Sequence, residues 1–191
     1  MEGVLTPEIW IAVAEQTGIA ELRRTTRDEP DYDKLMRSRI AILDRHGITL
    51  SRIQTVIGSL SPLAGASAFL DALRGQVQVI IVSDTFEQFA QPLLRQLGQP
   101  VLFCNRLVVD SDHLTGYQLR LPDQKRRAVE ALQSLNYCVI AAGDSFNDTS
   151  MLKQADHGIL FRAPVGVVQQ FPQFPAVSEH PALLARIRAL L

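Results

Sequence analysis

Two short and nearly continuous apolar runs, Val77-Gln78-Val79-Ile80-Ile81-Val82 and Tyr137-Cys138-Val139-Ile140-Ala141-Ala142, each stop abruptly at a polar segment. Runs of this length, rich in β-branched residues, suit parallel strands buried on both faces. A third, Gly158-Ile159-Leu160-Phe161, repeats the pattern. Val101 to Val109 and Tyr117 to Leu119 read as strands around a turn at Asp110-Ser111-Asp112. Helical spacing fills the intervals: about 65–74, from Thr85 to about Leu97, 123–135, Asn147 to Gln154, and a closing stretch from Pro181. Strands alternating with helices predict an α/β fold, a three-layer parallel sheet with right-handed crossovers.

Residues 7 to about 60 have a different texture. Ile9, Trp10, Val13, Ala14 and Ile19 recur at helical spacing after Pro7, with Gly18 as a stop. Tyr32, Leu35, Met36, Ile40 and Leu43 form a second stripe, closed by His46-Gly47. Leu50, Ile53, Val56, Ile57 and Leu60 form a third. Nothing here reads as a strand, so 7–61 is expected to be a helical cap inserted into a core formed by 1–6 and 62–191.

Composition narrows the function classes. At 191 residues and 47% hydrophobic content the chain can bury a core without disulfides. Nineteen basic against 20 acidic residues give a net charge of -1, which argues against a nucleic-acid partner. No apolar run approaches the roughly 18 residues of a membrane helix. Cys104 and Cys138, far apart and without CxxC spacing, read as reduced thiols. Met1-Glu2 opens without a basic region and an apolar stretch, so a cytoplasmic location is expected.

Ligands of open α/β sheets bind at the carboxyl ends of the strands, and two such ends here are strongly polar. Ser83-Asp84-Thr85 could hold an anion, but these are also ordinary helix-capping residues, and taken alone capping is the better account. Gly143-Asp144-Ser145-Phe146-Asn147-Asp148 is more demanding. A cap needs one acid, whereas this segment brings two carboxylates and an amide oxygen together, a donor set suited to Mg²⁺. Lys125 begins a helix, where a cation opposes the macrodipole, which hints at an anion nearby; with Arg126 and Arg127 beside it, a solvated basic face explains it equally well.

In this order the pieces resemble the haloacid dehalogenase-like phosphohydrolases, and within them the phosphoserine phosphatases, including the bifunctional phosphoserine phosphatase/homoserine phosphotransferases. The segments that carry the likeness are EGVLTPEIWIAVAEQTGI, PDYDKLMRSRIAILDRHG, VSDTFEQFAQPLLRQLG, GYQLR, IAAGDSFNDTSML and FPQFPAV. They span essentially the whole chain, and Ser83-Asp84-Thr85 fits the bifunctional type better than the commoner SGG. The resemblance implies Mg²⁺ as cofactor and phosphoserine, with homoserine as a further acceptor, as substrate. It assigns Glu2 as general acid/base and, through its backbone carbonyl, metal ligand; Ser83 and Asp84 as phosphoryl holders; and Lys125 as the neutralising cation. It makes Asp144 a metal ligand, supported by Asp148, with Asn147 near metal and substrate. Glu8 and Arg39 match positions for the amino and carboxylate groups of phosphoserine, a sensible pairing of charges; without the family they would read as surface charge on amphipathic helices. A homodimer is also implied.

The family's nucleophile is the first Asp of D-x-(D/E)-G-x-L. Here that position falls one residue before Met1, and the strand that carries it would be absent from the core. A start codon lying upstream is the favoured expectation; a decayed gene is the other. The alternatives for function are a catalytically inactive phosphoserine-binding chain and a phosphatase of another small phosphate ester.

Overall fold

The computed structural model describes residues 1–25, 28–29 and 31–191. The helical first third contains α1 (Ile9–Thr17), α2 (Tyr32–Arg45) and α3 (Leu50–Gly58). Gly18 closes α1 in the left-handed region at φ 72°, where glycine escapes the Cβ clash. The Asp31 side chain accepts from the Lys34 N–H to start α2, and Thr49 accepts from Arg52 N–H to start α3. A 3-10 turn at Ala20–Arg23, which the sequence did not suggest, follows α1.

The rest alternates: α4 (Ala66–Arg74), β1 (Ile80–Phe86), α5 (Glu87–Gln96), β2 (Val101–Asp110), β3 (His113–Gln118), α6 (Gln124–Ser134) and β4 (Ile140–Gly143). Then come α7 (Thr149–Gln154), β5 (His157–Phe161), α8 (Val165–Gln170), β6 (Ala176–Val177) and α9 (His180–Arg188). The short α8 and β6 had no legible signal in the sequence. Two boundaries differ from the expected ones. β1 starts at Ile80, where pairing with Val101 begins, and runs on through Ser83-Asp84-Thr85, so these residues end a strand and do not cap a helix. The N-cap of α5 is Phe86, without a side-chain cap. β4 begins only at Ile140, opposite His157 of β5.

The expected single sheet is in two halves. β1 pairs parallel with β2, and β2 antiparallel with β3; β4, β5 and β6 form a second, parallel trio. Between them Met1–Thr6 is not extended. It folds into a turn, with Gly3 N–H donating to Thr6 O (2.9 Å) and Leu5 N–H to Met1 O (2.8 Å). Apolar burial spans the gap: Leu5 shares one buried cluster with Ile81 of β1 and with Ile159 and Phe161 of β5.

The helices α1–α3 share their core with the end of β1, with α5 and with the β2–β3 hairpin, through Phe86, Phe89, Leu93, Leu107 and Leu114. Polar contacts fasten the same surfaces. Pro92 lies inside α5 and has no N–H to give the Gln88 carbonyl four residues earlier. That freed carbonyl accepts instead from Gln54 Nε2 of α3 at 2.8 Å. The Gln88 side chain in turn brackets the peptide groups of Leu107, accepting its N–H (3.0 Å) and donating to its carbonyl (2.9 Å). At the hairpin tip, Ser111 and Asp112 both have positive φ, as a two-residue I′ turn requires. Asp112 Oδ1 there accepts from the N–H and hydroxyl of Ser51 at 3.0 Å. Both cysteines are free, Cys104 buried and Cys138 exposed.

His180 joins three distant segments. Its buried ring lies between the carbonyl oxygens of Val4 (Nε2, 2.8 Å) and Ala64 (Nδ1, 3.1 Å) and packs on Phe69 and Phe161. His180→Ala is expected to cost about 3 kcal/mol, from the cavity and the deserted carbonyls. Urea denaturation of the variant beside the parent chain measures it; a loss below about 0.5 kcal/mol, the range of an ordinary surface change, would refute the role.

Candidate active site

The ends of β1 and β4, the turn at Met1–Val4 and the first turns of α1 and α2 enclose a cavity of about 240 Å³. Every residue that the sequence singled out lines it: Glu2, Glu8, Arg39, Ser83, Asp84, Lys125, Asp144, Asn147 and Asp148. Among the described residues no group of three or more His, Cys, Asp or Glu stands ready to cage a metal.

Lys125 is the centre of the polar floor. It is only 8% exposed, and its Nζ lies 2.8 Å from Asp148 Oδ1 and 2.9 Å from Asp84 Oδ2. Burial opposes its charge, but the two carboxylates outweigh burial and hold the ammonium well above the ordinary lysine range. Asp148 is likewise opposed by burial, yet Lys125 and the donors around it keep it below the usual carboxylate value. Both of its oxygens are occupied: Oδ1 by Lys125, Oδ2 by the N–H groups of Asp144 (3.0 Å) and Ser145 (3.1 Å) and by the Ser145 hydroxyl (3.1 Å). The sequence reading counted Asp148 among metal ligands; here the carboxylate accepts from the protein's own donors at both oxygens.

Asp144 is different. No lysine or arginine pairs with it directly among the described residues, and burial together with the Asp148 carboxylate pushes it up to about 6. Two glycines make room for this arrangement. A Cβ on Gly143 would stand 2.4 Å from Asp148 Cβ, and one on Gly3, which has φ +75°, 2.3 Å from Asp144 Oδ2.

Ser83 is buried beside this floor, where its hydroxyl accepts from the Thr85 N–H at 3.3 Å. Gln124 Nε2 donates to Ser83 O (2.9 Å) and Asp84 Oδ1 (3.0 Å), Asn105 Nδ2 to Asp84 O (3.1 Å), and Asn147 Nδ2 to Asp84 Oδ2 (3.1 Å). Sequence reasoning missed Gln124 and Asn105. A signal existed for Asn105, an amide inside an apolar strand run; Gln124 had only its place beside Lys125.

Glu2 Oε2 accepts from the Ile9 N–H at 2.9 Å, so its carboxylate caps α1 from outside the helix. Burial still raises it above the ordinary glutamate value. Arg39 is buried across the cavity with its guanidinium 4.4 Å from the Trp10 ring centroid. Nη2 donates to Arg24 O at 2.7 Å, and Nε has no partner among the described residues. Burial lowers its pKa to about 10, so it keeps its charge at neutral pH. Glu8 is exposed at the head of α1. Tyr32, which the periodicity counted as core, also lines the cavity.

Residues 5–156 match the family of haloacid dehalogenase-like hydrolases, and the chain belongs to that family. Within it, the likeness is to phosphoserine phosphatases. The chain is 61% identical to the phosphoserine phosphatase of Pseudomonas syringae pv. tomato over 93% of its length and 75% of that protein's. It is 59% identical to phosphoserine phosphatase ThrH of Pseudomonas aeruginosa, covering 96% of this chain and 90% of that one. The fold matches a crystal structure of apo phosphoserine phosphatase with a TM-score of 0.74 at 21% identity, over 93% of this chain and 89% of that one. Among the described residues no helix is long and apolar enough to cross a membrane.

The Lys125–Asp148 pair sets a pH window. Asp148 is held below its ordinary 3.8, so its contribution is present above that value and lost as pH falls through the folded pKa. Lys125 is held above 10.5, so its contribution is present below 10.5 and lost as pH rises past the folded pKa. Asp148→Asn is expected to cost about 3–5 kcal/mol at neutral pH, the range for breaking a buried ion pair, and to flatten the acid limb of the stability profile. Urea titrations from acid to neutral pH check both; an unchanged acid limb would contradict the account.

Proposed function

We propose that the site hydrolyses phosphoserine, with Mg²⁺ as cofactor and with phosphoryl transfer to homoserine as a second outcome. The observation that carries this is the buried Lys125 ammonium beside the Ser83 hydroxyl, facing Arg39 and Glu8 across a cavity sized for a small metabolite. The names of the two Pseudomonas relatives support the same substrate. In this reading 7–61 is the cap that selects the amino acid and 1–6 with 62–191 the catalytic core.

The donor chemistry fits Mg²⁺. Asp144 is an oxygen donor with no direct ion pair among the described residues, raised by burial and by the like charge of Asp148, a state that a hard cation relieves. Asp144 and the Glu2 backbone carbonyl would hold the ion, with Asp148 fixing the loop beneath them. When bound, it supplies positive charge against the phosphoryl oxygens.

Lys125 and Ser83 hold the phosphoryl oxygens, and Asp84 keeps Lys125 in place. The attacking carboxylate of the scheme is the aspartate that the resemblance puts immediately before Met1. A residue joined there enters the cavity, because Met1 lines it, with its amine near Lys125, Asp148, Glu2 and Asp144. As the carboxylate oxygen bonds to phosphorus, the bond from phosphorus to the seryl oxygen breaks. That oxygen takes the proton of Glu2 and leaves as serine. Glu2 then takes a proton from water, whose oxygen bonds to phosphorus and frees the carboxylate and inorganic phosphate. Homoserine in place of water gives the phosphotransfer. Glu2, raised by burial, is suited to both proton moves. The small subunit would work in the cytoplasm, as a homodimer.

The test extends the chain by a strand-forming segment ending in Asp before Met1. Mg²⁺-dependent phosphate release from phosphoserine is expected, and is abolished when that Asp is Asn. In the active form, Arg39→Ala should raise KM for phosphoserine by about tenfold or more, the worth of a charge-assisted hydrogen bond. It should leave KM for 4-nitrophenyl phosphate nearly unchanged. Equal changes would point to another phosphate ester, and binding of phosphoserine without turnover by the extended chain would leave a binding protein.

A further inference from the structure

Three residues of β1 fall outside the regular ladder. Ile80–Val82 pair with Val101–Phe103, and the next pair is Phe86 with Asn105. Ser83, Asp84 and Thr85 therefore stand where β2 offers one residue, Cys104. An irregularity of this kind leaves backbone groups without strand partners, and buried ones must find others. Among the described residues no strand pairs with the other edge of β1. Side-chain amides take the place of the ladder. Gln124, itself buried, donates from Nε2 to Ser83 O at 2.9 Å and to Asp84 Oδ1 at 3.0 Å, which uses both of its N–H donors. Asn105 Nδ2 donates to Asp84 O at 3.1 Å, and its Oδ1 accepts from the Arg120 N–H at 3.1 Å.

From this arrangement we infer that Gln124 is a positioning residue for phosphoryl binding: its amide sets the spacing between the Ser83 hydroxyl and the Lys125 ammonium. The inference rests on the proposed function, in which those two groups hold the phosphoryl oxygens. They come from different elements, Ser83 from β1 and Lys125 from the first turn of α6, directly after Gln124. These adjacent residues of α6 grip one carboxylate, Gln124 on Asp84 Oδ1 and Lys125 on Oδ2. The ion pair alone does not fix Ser83, because the Asp84 side chain is 42% exposed and reaches the backbone through rotatable bonds. The Gln124 bond to Ser83 O acts on the backbone of Ser83 itself. Ser83 Oγ accepts from the Thr85 N–H at 3.3 Å, so the hydroxyl keeps its own proton to donate to a phosphoryl oxygen. Without the amide, Ser83 O and Asp84 Oδ1 lose a shared donor, and the irregular stretch of β1 settles elsewhere relative to α6.

Calorimetric titration of the 191-residue chain with inorganic phosphate, in the presence of Mg²⁺, tests this without turnover. Gln124→Met keeps most of the side chain's length and removes the amide; Gln124→Ala, a second variant, removes both. Each should weaken phosphate binding about fivefold or more, the worth of a lost hydrogen bond. Ser83→Ala should weaken it about tenfold or more, as a hydrogen bond to a charged group is worth more. Because Gln124 acts through Ser83, the losses should not multiply: Ser83→Ala/Gln124→Met should bind phosphate no more than about twofold less tightly than Ser83→Ala alone. No loss in the Gln124 variants, or the same fold-loss with and without the Ser83 hydroxyl, overturns the inference, while phosphate and phosphoserine binding by the parent chain keeps the proposed function standing. Failure of the parent chain to bind phosphate and phosphoserine overturns the two together.

Discussion

A lysine ammonium taken out of water must be paid for by charge, and the site is organised around that requirement at Lys125. Two carboxylates meet the ammonium, Asp84 from the end of β1 and Asp148 from the turn after β4. They arrive from the two halves of the sheet, which do not pair with each other. The ion pairs therefore tie together strands that backbone hydrogen bonding leaves apart. Asp148 extends the tie through Oδ2, which gathers the N–H groups of Asp144 and Ser145 and so sets where the Asp144 carboxylate stands. Such a network contributes modestly to stability when whole and is costly to break, because any missing member leaves a buried charge behind.

The same network separates two roles that look alike in a sequence. Asp144 and Asp148 are both acids in one six-residue turn, and spacing alone makes both candidate ligands. Their surroundings push them in opposite directions, Asp148 down by its donors and Asp144 up to about 6 by burial and by Asp148 itself. The first is held by the protein's own donors, and the second meets no lysine or arginine among the described residues. Glu2 shows a third arrangement, a carboxylate lent to a helix N-terminus at 2.9 Å and still raised by burial.

Much of this was legible before any coordinates. The strand runs, the three helices of residues 7–61 and the strand-end polarity follow from periodicity, because core-facing residues must recur at the period of their element. Lys125, a cation placed against a helix dipole, gave a hint no stronger than a solvated basic face with Arg126 and Arg127; its two carboxylates decide between them. Less legible was whatever depends on partners far away in sequence. That Ser83-Asp84-Thr85 lies within a strand is decided by the pairing on either side of it, Ile80–Val82 with Val101–Phe103 and Phe86 with Asn105 across an irregularity, not by its own composition. Gln124 and Asn105 act through neighbours 15 to 41 residues away. Short α8 and β6 form only because the surrounding surface receives them. Tyr32 read as core from its stripe and turned out to line the cavity.

The central claim is that the floor built on Lys125 holds a phosphoryl group. A crystal structure of the chain grown with Mg²⁺ and phosphoserine tests it most directly. The account predicts phosphoryl oxygens within hydrogen-bonding distance of Lys125 Nζ and Ser83 Oγ, the metal on Asp144, and the substrate carboxylate beside Arg39. Phosphoserine seated elsewhere, or a phosphoryl group at the site that makes no contact with Lys125, would contradict it.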